Sequence, residues 1–131
     1  MVGAADGATK EDARVRLLLV DDEKEVLSIL SEILEESGYT VVATWEGEDA
    51  IAIAELFKPD VLLTDFQLPG IDGVTTIRQI RHQIPRLRAI LMSGTLNYAT
   101  RRRAHHEQVE HVLEKPLDIP DLLQRLEKAV A

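Results

Sequence analysis

Five times along this sequence a short apolar run gives way to a turn and then to apolar residues at helical spacing. The first run, Leu17 to Val20 within residues 15–20, stops abruptly at two aspartates and reads as a strand buried on both faces. Val26, Leu27, Leu30, Ile33 and Leu34 then share one helix face, with Gly38 as the stop. Residues 39–44 predict a second strand, residues 48–57 a second helix closed by Pro59, and residues 61–65 a third strand. A helix follows around Val74, Ile77, Ile80 and Ile84, then a strand over 88–92 and a less apolar helix over 98–107. The last strand spans 111–114, and the last helix carries Leu122, Leu123, Leu126 and Val130 on one face with Asp118 as its N-cap.

Regular strand-helix alternation with short connections predicts an α/β fold, a doubly wound five-stranded parallel sheet with helices on both faces, because right-handed crossovers place them there. Ligands of such sheets bind beyond the carboxyl ends of the strands, near the point where strand order reverses. Residues 1–13 are small, polar or charged and read as a disordered leader, which leaves 14–131 as one domain. A chain of 131 residues can bury a sufficient core without staples, and with no cysteine it has neither disulfides nor thiolate metal sites. No stretch approaches membrane-spanning length and no signal-peptide core is present, so a cytoplasmic protein without membrane contact is expected. The net charge of -8 argues against direct nucleic-acid binding, which needs a basic surface to displace counterions from phosphates.

The predicted strand ends bring chemically active groups together. Asp21, Asp22 and Glu23 follow the first strand, Asp65 ends the third, Ser93 and Gly94 follow the fourth, and Lys115 and Pro116 follow the fifth. An acidic pair at a helix start often serves only as a cap, but here carboxylates, a hydroxyl and an amine converge. Three mutually repelling carboxylates need a raised pKa, Lys115 as a counter-charge, or a divalent cation. An all-oxygen donor set selects a hard ion, Mg2+ with Mn2+ as a substitute. A carboxylate can also act as nucleophile toward phosphorus, and Asp65 is the natural choice. In that reading Asp22 and Asp65 hold the metal, Lys115 pairs with a further phosphoryl charge, and Ser93 donates a hydrogen bond to the product.

Four motifs in this order resemble the receiver domain of two-component response regulators, of the single-domain chemotaxis-regulator type. They are Leu-Val-Asp-Asp-Glu at residues 19–23, Leu-Thr-Asp-Phe-Gln-Leu-Pro-Gly-Ile-Asp-Gly at 63–73, Leu-Met-Ser-Gly at 91–94 and Leu-Glu-Lys-Pro at 113–116. The resemblance implies a flavodoxin-like sheet of strand order 2-1-3-4-5. It implies a phosphorylation-dependent signalling switch rather than an enzyme with a free substrate, one that contributes to its own phosphotransfer and autodephosphorylation. Asp65 would take the phosphoryl group from a phosphohistidine on a sensor histidine kinase or phosphotransfer protein. Asp22, Asp65 and the backbone carbonyl of Gln67 would bind Mg2+, with Asp21 acting through a bound water. Ser93 would move toward the phosphoryl group, altering the face made by the fourth helix, fifth strand and fifth helix, where a downstream protein or a second copy of the chain would dock. Gln67 and Thr95 occupy the positions that set the lifetime of the phosphorylated state, and the Lys115-Pro116 bond is commonly cis in the family. One position departs from the pattern: Val112 stands where the family often has Phe or Tyr.

Two alternatives have different chemistry. An aspartyl phosphatase of the haloacid-dehalogenase type would need an acid two residues after the nucleophile, where this chain has Gln67, and usually a cap insertion. A degenerate receiver used only for docking or dimerisation conflicts with the intact acidic, hydroxyl and lysine positions. Elsewhere, Arg101, Arg102 and Arg103 with His105 and His106 read as a solvated helix face, and His82 and His111 lack metal-site spacing. Trp45 is expected to pack, Asp72 to cap the third helix, and Gly73 to take positive φ.

Overall fold

The computed structural model describes residues 14–131; the expected leader at 1–13 lies outside the described residues. Strands β1 (Arg16–Val20), β2 (Thr40–Thr44), β3 (Val61–Asp65), β4 (Arg88–Ser93) and β5 (His111–Glu114) alternate with helices α1 (Lys24–Glu36), α2 (Gly47–Phe57), α3 (Gly73–Gln83), α4 (Tyr98–His106) and α5 (Ile119–Val130). The strands form one parallel sheet of order β2-β1-β3-β4-β5. Strand order reverses between β1 and β3, which opens a crevice at their carboxyl ends.

Side-chain alternation divides the core into two layers. Leu17, Leu19, Val61, Leu63, Ile90, Met92 and Leu113 pack with Leu27, Leu30 and Leu34 of α1 and Leu122 and Leu126 of α5. Their neighbours in sequence, Leu18, Val20, Leu62, Ala89 and Leu91, pack on the other face with α2, α3 and Ala104 of α4. β1 lacks a polar alternation because both its faces are covered.

Local sequence explains the element ends. Asp72 caps α3 by accepting from the Thr75 amide at 2.8 Å, Asn97 caps α4 through the Thr100 amide at 2.9 Å, and Asp118 caps α5 through the Asp121 amide at 3.1 Å. The positive-φ glycine in the β3-α3 connection is Gly70, at φ 78°, and not Gly73 as the sequence suggested. Gly73 is required for a different reason: a Cβ there would lie 2.2 Å from the main-chain oxygen of Asp65. Trp45 also departs from expectation. It is 47% exposed, with the Lys24 ammonium 5.1 Å from its ring centroid.

Candidate functional site

Sheet register assembles the acidic centre. Val20 pairs with Thr64, so the next residues, Asp21 and Asp65, emerge side by side from adjacent strands. Both share the parity of the residues facing α1 and α5, as does Lys115 two residues after Leu113. The Lys115 Nζ reaches Asp21 Oδ2 at 2.7 Å and Asp65 Oδ2 at 3.1 Å, with Glu23 Oε1 more distant at 3.5 Å. Asp21 is fully buried and its other oxygen accepts from the Glu23 amide at 2.9 Å, so it both stabilises the entry to α1 and anchors the lysine. Asp22 is exposed at the rim.

Suitable oxygens of Asp21, Asp22 and Asp65 all lie within 4.8 Å of one another. Three carboxylates facing a single lysine leave an excess of negative charge in a site of oxygen donors, and this donor set fits Mg2+ or Mn2+. Asp65 is nearly buried, and burial holds its pKa above the ordinary carboxylate value; Lys115 opposes that shift, while Asp21 and Asp22 add to it. Burial alone would lower the Lys115 pKa, but its bonds to Asp21 and Asp65 outweigh this and raise it, so the ammonium stays charged. Lys115 occupies Oδ2 of Asp65, and no described residue donates to Oδ1.

The remaining predicted residues frame this centre. Gln67 lies exposed in the β3-α3 connection, two residues beyond Asp65. Ser93 follows Met92 and therefore has the parity of the α4 side. Its buried hydroxyl donates to the Thr95 carbonyl at 3.0 Å and accepts from the Thr95 amide at 3.1 Å. It is thus tied to the loop leading into α4 rather than to Asp65. Gly94 has no heavy atom within 4 Å of where a Cβ would stand, so the approach there is open. The Lys115-Pro116 peptide is cis, as expected. Val112 is half-buried against the α4-side core.

Sequence reading missed one neighbour of the site. Arg103 is not part of a solvated face: it pairs with Asp72 at 2.6 Å, and its guanidinium lies 5.6 Å from the ring centroid of Phe66, the residue after Asp65. No sequence spacing signals a contact between positions 31 apart.

The switch point of a doubly wound parallel sheet thus carries a carboxylate trio, a bridging lysine and a loop-bound serine. The sequence matches the response regulator receiver domain over residues 17–127, and the chain belongs to that family. It is 41% identical over 68 residues to the alkaline phosphatase synthesis transcriptional regulatory protein PhoP of Bacillus subtilis, covering 52% of this chain and 28% of that protein. It is 37% identical over 139 residues to the virulence sensor protein BvgS of Bordetella pertussis, covering 98% of this chain and 11% of that protein. The chain therefore spans well under a third of these two relatives. A CheY-like receiver domain protein from Methanospirillum hungatei superposes with a TM-score of 0.86 at 23% identity, over 90% of this chain and 94% of that one, which shows the fold. Among the described residues no helix is long and apolar enough to cross a membrane.

Proposed function

We propose that residues 14–131 form a receiver domain in which Asp65 accepts a phosphoryl group from a phosphohistidine on a sensor histidine kinase or phosphotransfer protein. The observation that carries this reading is the buried Asp65 carboxylate, gripped at one oxygen by Lys115 and without a donor among the described residues at the other. The Oδ1 oxygen attacks phosphorus, the phosphorus-nitrogen bond of the donor breaks, and the electron pair remains on a ring nitrogen that is then protonated. Asp22, Asp65 and the Gln67 carbonyl would hold Mg2+ or Mn2+, with Asp21 acting through a water. The ion would neutralise phosphoryl charge during transfer.

Lys115 then pairs with a phosphoryl oxygen, and the Ser93 hydroxyl exchanges Thr95 for the new acceptor. Because Ser93 holds both backbone groups of Thr95, that exchange releases the loop before α4 and alters the face of α4, β5 and α5. That face is the proposed site for a downstream protein or a second copy of the chain. A groove of about 380 Å3 lined by Val26, Ile29 and Leu117 opens beside Lys115, which suits delivery by a protein surface. Water reaching the acyl phosphate past Gln67 and Thr95 would reverse the switch by autodephosphorylation, and a cytoplasmic location suits such a kinase partner.

Incubation with acetyl phosphate and Mg2+ tests the acceptor. Intact-mass and peptide spectra should place one phosphate on Asp65, with none after EDTA treatment or in Asp65→Asn. Modification elsewhere, or undiminished labelling of the Asp65→Asn protein, would refute the assignment.

A further inference from the structure

The charges of this chain are segregated. Residues 73–106, from the start of α3 to the end of α4, contain seven arginines and three histidines and no Asp or Glu, so all 23 carboxylates lie outside this segment. The fold brings the two helices together around a cleft of about 310 Å3 lined by Val74, Arg78, Arg102, Arg103, His106 and Glu107. Arg103 is neutralised by Asp72, but Arg78 and Arg102 form no ion pair with any described residue, and both are exposed. Arg101, on the same helix as Arg102, is likewise exposed and unpaired among the described residues. Among the described residues, the hydrogen bonding of the Arg102 guanidinium is limited to a long 3.5 Å contact with the Tyr98 hydroxyl.

From this we infer that the α3-α4 cleft is a docking site for a short acidic segment of a protein partner. Unpaired guanidiniums beside one another repel, and a partner carboxylate relieves that repulsion with a charge-assisted, bidentate hydrogen bond. The cleft also offers Val74 and the aliphatic stems of its arginines, which suit a segment alternating acidic and apolar side chains. The rest of the molecule selects against longer polyanions. At physiological salt, charges act over about 8 Å, so a nucleic acid extending past the cleft meets the carboxylate-rich remainder of the chain, whereas a short peptide does not. The inference stands independently of whether Asp65 is the phosphoryl acceptor.

Binding would be measured by fluorescence polarisation with a fluorescein-labelled peptide of alternating glutamate and leucine pairs, beside a glutamine-for-glutamate control. The same titration would use single-stranded DNA of similar length and phosphatidylserine vesicles. The acidic peptide should bind with an affinity that falls as salt rises, shift the amide signals of Val74, Arg78 and His106, and bind about tenfold more weakly to the Arg78→Glu/Arg102→Glu protein. Lys128→Glu, on α5, should bind as the parent does. Unchanged circular dichroism and acetyl-phosphate labelling of the double variant would show that it folds. Equal binding by the double variant, no peptide binding, or tighter binding to DNA or vesicles would overturn the proposal. A dimer abolished by the same two substitutions would overturn it in favour of a second copy as occupant.

Discussion

Lys115→Ala would leave Asp21 and Asp65, both buried and both hydrogen-bonded to its ammonium, facing one another without a counter-charge. Breaking a buried pair by deleting one partner costs about 3–5 kcal/mol. The lysine side chain retains 17% exposure and Asp22 sits at an open rim, so solvent reaches the site and the lower end, about 3 kcal/mol, is expected. For a domain of this size that loss lowers the melting temperature by about 10 °C. The pH dependence has a definite sign. The folded-state pKa of Asp65 already lies above its unfolded value, and removing Lys115 takes away the interaction that opposes the shift. Folding then takes up a proton as pH falls through the raised value, so the deficit is full at neutral pH and shrinks toward the ordinary carboxylate range. Millimolar Mg2+ should narrow it as well, by supplying positive charge at the same oxygens. Urea unfolding of both proteins at pH 7 and pH 5, in EDTA and in Mg2+, measures all of this. A deficit under about 0.5 kcal/mol, the range of a surface pair, would refute the buried-pair argument, as would a deficit indifferent to both pH and Mg2+.

Ser93→Ala removes the two hydrogen bonds to Thr95 and should cost about 1 kcal/mol while leaving acetyl-phosphate labelling of Asp65 within a few-fold of the parent; amide spectra should then show the α4 loop no longer responding to phosphorylation. Arg103→Ala should cost about 1 kcal/mol once solvent screening of the 41% exposed guanidinium is allowed for. Although burial opposes it, Arg103 and Thr75 hold the Asp72 pKa below its ordinary value, so this contribution is present above the unfolded carboxylate pKa and lost as pH falls through the folded one; acid titration of the Arg103→Ala protein should be correspondingly flatter. Gly73→Ala drives a Cβ against the Asp65 main-chain oxygen and should destabilise by about 2–3 kcal/mol or displace the acceptor, seen as a lower unfolding midpoint and slower labelling.

The acidic centre was legible because it depends on where apolar runs stop. In a parallel sheet all the strands end on one side, so the residues after Val20, Thr64 and Glu114 had to meet once the runs were recognised as strands. Strand ends were correspondingly well defined: the expected bounds of β3 and β5 coincide with those observed. What sequence could not supply was contact between elements distant along the chain. Arg103 looked like one member of a solvated basic run because helical spacing says nothing about the position of Asp72. The sequence points to Gly73 as the positive-φ residue, whereas Gly70 takes that conformation, and only the path of the backbone past Asp65 shows that Gly73 is needed for a close approach instead. Trp45, expected to pack because it follows the second strand, falls just beyond β2, which is an edge strand, and lies open to solvent.

Period-2 alternation also separates the chemistry from the response. Asp21, Asp65 and Lys115 share the parity of residues packed on α1 and α5, whereas Ser93 and Val112 have that of residues packed against α2, α3 and α4. In the proposed switch, a charge arriving at Asp65 lies across the sheet from α4, the helix proposed to respond, and the two sides meet where the backbone leaves the sheet. Two such places are visible. Ser93 leads through Thr95 into the loop before α4, and Phe66, directly after Asp65, touches Arg103 on α4 itself. With the smaller Val112 in place of an aromatic ring, these two contacts link the acidic centre to α4 without a rotating side chain on β5. Arg81 of α3 meanwhile bonds the main-chain oxygens of Glu107 and Gln108 just beyond the far end of α4. Held near its carboxyl end by Arg81 and by its own last-turn Arg103, and joined to Ser93 only through the Thr95 loop before its amino end, α4 is built to pivot rather than to translate.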